Sequence, residues 1–330
     1  MSMFTQSLWR DALNALANCA AFLLFCVPAH AQPWPTKTVR IIAAGTPGGT
    51  ADIVSRLLAD GLKMEFGQPV IVEPKPGAAG SIAVNELLQS PHDGYTVLVA
   101  VNSLVSEIPH VVKLRIDMAK EIKPLAELTR SGLVMVGTPS FPATTLADVV
   151  SYVKANPGKV NYGSYTAGTM SHIMGLQLNK VAGIDMTHVG YNGSTPALAD
   201  VMAGHVPLMF DGIATSLPLV KAGKIKAFAI SSPTRSPALP NVPTFTELGY
   251  PQLEALAWMG LWTTPDVPAT VQARLREATL KVLTLPQLRE RLRDNGFEIG
   301  QPRTPDEMSR ALQADYERVG AMLKAINFKN

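Results

Sequence analysis

The stretch "GTPGGTADIVSRLL" (45–58) sets Gly48 and Gly49 behind Pro47, with Thr50 and Asp52 where the spacing predicts the start of a helix. Unpaired backbone N–H groups at a helix start suit a carboxylate or a phosphate, and glycines let such a ligand come close. The same residues would serve as well in a plain turn leading into a capped helix. Three further stretches repeat the order of glycine-rich loop and predicted helix: "KPGAAGSIAVNELL" (75–88), "GSYTAGTMSHIMGL" (163–176) and "YNGSTPALADVM" (191–202). In an open α/β sheet these loops gather at the carboxyl edges of the strands, where ligands bind. Every strand-to-helix connection needs a turn, however, so their number alone does not make a site.

Several chemistries are excluded by spacing. Gly49 is followed by Thr50 and Ala51, not by the Gly-Lys-Ser/Thr that a phosphate-binding P-loop requires. The glycines at 45, 48 and 49 do not fit the dinucleotide fingerprint. Ser164 and Ser194 each follow a glycine but lack the second glycine of a nucleophile elbow. His92, His110, His172, His188 and His205 form no His-Glu-x-x-His pair. No cofactor, metal or catalytic group is therefore expected; Ser164 with His172 is the one couple a hydrolase could use. His172, early in a predicted helix, is placed to bind a ligand or to pack that helix. Asp211 ends the apolar run "LMFDG", where it either faces a cleft or satisfies nearby backbone donors. Tyr165 and Tyr191 sit within the loops and could line a site. Trp258 and Trp262 suit a pocket wall or, more simply, the core, and Met170 and Met174 suit packing.

The elements that must position these residues follow an α/β grammar. "TVRIIAAG" (38–45), "PVIVEP", "YTVLVAV", "GLVMVGTP" (132–139), "KVNYGS", "MTHVGY", "VPLMFDG" and "IKAFAIS" read as short buried strands. Between them lie runs with helical periodicity. The first has Ile53, Leu57, Leu58 and Leu62 on one face, Thr50 as its cap and Gly67 just past its end. The pattern pauses in "KLRIDMAKEIKPLAELTR" (113–130), where charges and Pro124 interrupt it, and "SPTRSPALPNVPT" (232–244) is loop by composition. After "AWMGLWTTP" (257–265) the chain reads as helical, the last helix opening with Thr304 as cap and Pro305 as its first residue.

The chain has 330 residues, of which 47% are hydrophobic and 17% charged, which suits a large buried core. A net charge of +3 with scattered Lys and Arg gives no basic stripe for nucleic acid. Arg10, the apolar run "ALANCAAFLLFCVP" and "AHA" at 29–31 read as a secretory signal cleaved before Gln32. Cys19 and Cys26 both fall within it, so the exported chain is expected to lack disulfides and thiolate sites.

Taken in order, "VRIIAAGTPGGTADIVSRLLADGL", "GQPVIVEPKPGAAGSIAVNELL", "PHDGYTVLVA", "ANPGKVNYGSYTAGTMSH", "HVGYNGSTPALADVMAGHVPLMFD" and "RSPALPNVPTFTELGY" resemble the Bug family of extracytoplasmic solute receptors. These are the binding components of tripartite tricarboxylate transporters. The resemblance implies a periplasmic-binding-protein fold: two α/β domains with a ligand cleft between them and a helical C-terminal segment. Residues 32–130 and 257–330 would form one domain and 131–256 the other. It also implies a periplasmic monomer that captures a small organic acid by closure and delivers it to integral membrane subunits or to a membrane sensor. The positions it assigns to ligand binding are Thr46, Pro47, Gly48, Gly49, Thr50, Ala51 and Asp52 in the first loop. The second loop contributes Ser164, Tyr165, Thr166, Ala167, Gly168, Thr169 and His172, and the third Tyr191, Asn192 and Gly193. Asn102, Ser103, Asp211 and Trp258 complete the set. The chain departs from the family pattern at Ala44, Gly45 and Thr46, at Tyr165 and Ala167, and at Asn192, so the nature of the acid stays open.

Overall fold

Short β-branched and apolar runs build two sheets in the computed structural model, which describes residues 34–325 and 328. The expected signal segment, 1–31, lies outside the described residues. From Lys37 onward the chain forms one compact unit carrying both sheets. β1 (Val39–Ala43), β2 (Val70–Pro74) and β3 (Thr96–Val101) are parallel, with β1 in the middle. Helix α1 (Thr50–Phe66) links β1 to β2, and α2 (Ser81–Leu88) links β2 to β3. β4 (Lys123–Ser131) belongs to the same sheet, and after Gly132 the chain enters β5 (Leu133–Gly137) of the second sheet.

The second sheet is completed by α3 (Leu146–Ala155), β6 (Val160–Ser164), α4 (Met170–Ala182), β7 (Met186–Gly190), α5 (Ser194–Ala203), β8 (Leu208–Gly212), α6 (Ile213–Lys221) and β9 (Lys226–Ile230). Its strand order is β7-β6-β8-β5-β9. The chain then returns through β10 (Ala257–Thr263), α7 (Ala269–Val282), α8 (Pro286–Asp294), β11 (Glu298–Ile299) and α9 (Pro305–Ala325). This completes the first sheet in the order β11-β4-β10-β3-β1-β2. Each sheet with its helices is called a lobe below.

The interrupted segment at 113–130 holds β4, the longest strand, flanked by β10 and β11. A proline is tolerated there for two reasons. β11 reaches only Thr129 and Arg130, leaving Pro124 on an open side, and a register shift between Leu261 and Trp262 relaxes the other side. Two charged residues of β4 are matched within the fold, since buried Glu127 accepts from Arg130 and Arg303.

Two details of α1 differ from the sequence reading. Gly49, in extended geometry, is the N-cap and Thr50 the first helical residue; the buried face uses Val54, not Ile53, beside Leu57, Leu58 and Leu62. Gly67 ends the helix in the left-handed region with φ 63°, as its position implied. At α9, Thr304 Oγ1 accepts from Glu307 N while Glu307 accepts from Thr304 N, a reciprocal cap.

The two crossings between sheets are tied together. Ser231 Oγ accepts from Leu133 N and donates to Ala255 O, each at 2.8 Å. A Cβ on Gly132 would lie 2.6 Å from Ser232 N, so the crossing needs a glycine. Each lobe has its own core. Tyr162, Phe210 and Phe245 fill the second, and Leu98, Leu104, Met118 and Trp262 the first.

Candidate functional site

Residues from both lobes line a cavity of about 110 Å³. A water needs roughly 10–15 Å³ of such space, so a molecule of several heavy atoms fits. From the first loop, Thr46, Gly49, Thr50 and Ala51 line it. Thr50 and Ala51 open α1, whose N-terminus has no side-chain cap, so the first amides lack intrahelical acceptors. They point the positive end of a 17-residue helix dipole at the cavity. Asp52 is not part of the lining. It is buried and fastens its own loop, accepting from Gly48 N at 2.9 Å and Arg56 Nε at 3.1 Å. Gly48 and Pro47 also stand outside the lining; Pro47 O accepts from Thr195 Oγ1 of the other lobe at 3.1 Å.

The third loop meets the first across the cleft. Asn192, Gly193 and Ser194 line the cavity, and Ser194 begins α5, which also lacks a side-chain cap. A Cβ on Gly193, where φ is 124°, would sit 2.5 Å from Thr46 Cγ2; one on Gly212 would sit 2.8 Å from Thr50 Oγ1. Glycine is thus required where the lobes touch. Asp211 lies one layer behind and fully buried. It accepts from Ser194 Oγ at 2.6 Å, Thr215 Oγ1 at 2.5 Å and Ser216 Oγ at 2.8 Å, tying the starts of α5 and α6 together. Burial raises its pKa against these bonds. Tyr191 turns away, donating to Asp200 Oδ2 at 2.6 Å.

In the second loop Tyr165, Thr166 and Thr169 line the cavity. Ala167 and Gly168 do not; a Cβ on Gly168 would come within 3.0 Å of Ile108 Cα in the other lobe. Ser164 does not pair with His172. Its Oγ is fully buried and lies 2.7 Å from His188 Nε2; in the parallel β6–β7 pair His188 stands opposite Tyr162, two residues along from Ser164 on the same sheet face. His172 stacks on the His188 ring at 3.6 Å, and its Nδ1 accepts from Gly168 N at 3.2 Å. Burial holds both rings neutral, pushing His172 down to about 3 and His188 to about 4.

Trp258 lines the cavity and stacks on Trp262, centroids 5.4 Å apart. Asn102 and Ser103 support this wall from behind. Asn102 Oδ1 accepts from Trp258 N at 3.0 Å while Asn102 N donates to Trp258 O. Ser103 Oγ donates to Glu107 at 2.5 Å.

Some lining residues carried no sequence signal of their own. Lys75 opens the quoted "KPGAAG" loop and, among the described residues, is the one charged side chain in the lining. Its Nζ stands 3.7 Å from Glu73 and 3.8 Å from Glu86. Thr129 and Ser131 come from β4, in the segment where the strand pattern is broken. Much of the remaining wall is apolar, including Leu104, Ile108, Leu133 and Met259. Among the described residues no group of three or more His, Cys, Asp or Glu is placed to hold a metal. None of the described helices is long and apolar enough to cross a membrane.

Two α/β lobes lining one cavity, with uncapped helix starts in its wall, define a bilobed binding protein. The chain belongs to the tripartite tricarboxylate transporter family of receptors, whose model matches residues 54–328. A UPF0065 protein of Bordetella pertussis is 32% identical over 313 residues, 94% of this chain and 95% of that one. A solved structure described as a periplasmic transporter is 35% identical, with a TM-score of 0.85 over 90% of this chain and 99% of the other. An R. palustris protein solved with adipate is 29% identical, with a TM-score of 0.85 over 89% and 98%. MatC from Rhodopseudomonas palustris, solved with bound malate, is 29% identical, with a TM-score of 0.81 over 88% and 100%. The fold is that of the periplasmic binding proteins, and the chain is a solute receptor of this family.

Proposed function

We infer that this receptor captures a small organic acid by closing its two lobes on a carboxylate and presents it to membrane transporter subunits. The observation that carries this reading is the meeting of two uncapped helix starts, α1 at Thr50–Ala51 and α5 at Ser194, on one cavity. Amides from both lobes would bind an anion better closed than open, and that differential affinity is what closes the cleft. The neighbours solved with adipate and malate support a carboxylate as the ligand. The signal pattern read at 1–31 and the receptor family support a periplasmic protein after cleavage. The crossings at Gly132 and at 231–256 support domains of 32–130 with 257–330, and of 131–256. Ser164 and His172, each engaged in packing, are read as structural and not catalytic.

The test is thermal unfolding of residues 32–330, stripped of retained ligand by unfolding and refolding, against a broad panel of organic acids. An acid at a hundred times its dissociation constant adds about 2.7 kcal/mol. A shift that disappears in Ala51→Pro, which removes an amide from the cavity wall, is the expected result. No shift with any acid would refute the reading.

A further inference from the structure

Helix α8 carries Arg289, Arg291 and Arg293 in alternation. Arg291 Nη1 donates to Asp60 at 2.8 Å. Arg289 and Arg293 stand one turn apart on another face and have no hydrogen-bond or ion-pair partner among the described residues. Both are exposed, and both line a second cavity, of about 520 Å³, distinct from the one described above. Like charges one turn apart on a helix repel each other, and an anion lying between them would offset that repulsion.

Part of this cavity belongs to the second lobe, through Thr234 and Ser236 of the segment after β9. Ser236 is buried, and its Oγ accepts from Ala238 N at 3.3 Å; its O–H has no acceptor among the described residues and is free to donate to a ligand. The Thr234 hydroxyl likewise has no partner among the described residues. Glu298 of β11 is the one carboxylate among the described residues of this lining, so two guanidiniums and two hydroxyl donors outnumber it. The lobes touch beside the cavity, where a Cβ on Gly296 would lie 2.4 Å from Ile213 Cγ2. Ser131 and Gly132 of the first crossing, together with Phe297, line both cavities.

We propose that a small tetrahedral oxyanion of the phosphate class binds between Arg289 and Arg293 of the first lobe and Thr234 and Ser236 of the second, and tightens acid binding by bracing the lobes at their crossing. Guanidinium forks match the oxygens of such an anion, and the hydroxyls add donors from the opposite side. The cavity is roomy enough to keep waters beside the anion. An anion held from both lobes favours the arrangement in which they meet, as the acid does, so each ligand raises the affinity of the other. The coupling rests on the receptor reading above; the oxyanion site does not.

Inorganic phosphate titrated into ligand-free protein at pH 7.5 and constant ionic strength, followed by phosphorus NMR line broadening, tests the site without any acid. Wild type should bind saturably, and Arg289→Gln combined with Arg293→Gln should weaken binding about tenfold or more. Both arginines are exposed and unpartnered, so this variant keeps its fold, which circular dichroism checks. Ser236→Ala should weaken binding as well. Lys113→Gln with Arg115→Gln, which removes the same charge from exposed positions outside the cavity, should leave it unchanged. No saturable binding to wild type, an equal loss in that charge-matched control, or full binding in Ser236→Ala overturns the proposal. Calorimetry with adipate, malate and the other acids of the panel above, with and without phosphate, reads the coupling. Any acid that binds should bind about fivefold tighter with phosphate present, and unchanged or weaker binding overturns the proposal. If phosphate binds as described and no acid does, the receptor reading fails and the oxyanion site stands.

Discussion

Replacing Glu107 by Gln changes how stability depends on pH, and the structure sets the size of the change. Burial raises this carboxyl from 4.5 to about 7. Asp315 on α9 pushes the same way, while Ser103, Arg318 on α9 and the Met170 amide of α4 oppose the rise. Tyr165 faces it from the second loop as a neutral hydroxyl, its own pKa raised by burial and by this carboxylate. The folded protein therefore binds a proton that the unfolded chain releases between those two values. Stability from this group is intact below 4.5 and falls as pH rises through about 7. At 1.36 kcal/mol per pKa unit the full penalty is roughly 3 kcal/mol, of which roughly 2–3 kcal/mol develops between pH 5 and 8. Gln carries no such penalty. His172 and His188 titrate in the opposite sense, but they do so in both proteins and cancel in the difference. Urea unfolding of wild type and Glu107→Gln at pH 5, 6, 7 and 8 reads the effect directly. The variant should gain on wild type by that amount as pH rises, whatever fixed cost the amide imposes beside Ser103 Oγ. Parallel stability curves would refute the claim that Glu107 is buried with a raised pKa.

Other substitutions probe the remaining contacts. Gly193→Val sets a side chain against Thr46 at a residue with φ 124°, so ligand binding should weaken about tenfold to a hundredfold while circular dichroism stays native. Acidification from pH 6.5 to about 4 should cost stability through the histidines, against the gain from Glu107, because the unfolded chain protonates both rings before the folded protein does. His188→Gln should flatten this loss in thermal melts over that range. Glu127→Ala leaves Arg130 and Arg303 without their shared buried carboxylate and should cost about 3–5 kcal/mol in denaturant unfolding.

What the sequence settled by itself is whatever depends on near neighbours. Short apolar, β-branched runs bounded by glycine and proline mark β1, β2 and β3, and helical spacing marks α1, because such segments are stable only when buried. Gly67 past α1 and Thr304 before Pro305 announce helix ends, since caps act within one turn. The glycine loops announce where a ligand could approach, and order plus motif announce the family. Tertiary structure decided the rest. β4 hides behind Pro124 and its charges because Arg303, 176 residues from Glu127, supplies the compensating cation. Ser164 chooses His188 over His172 because strand pairing, not sequence distance, puts the two rings and the hydroxyl together. Asp211, Asn102 and Asp52 are drawn one layer back from the cavity by buried donors. Glu107 shows no motif at all. Its burial, with Ser103 Oγ donating to it, exists only because the fold packs over it, and such packing leaves no local pattern in the chain.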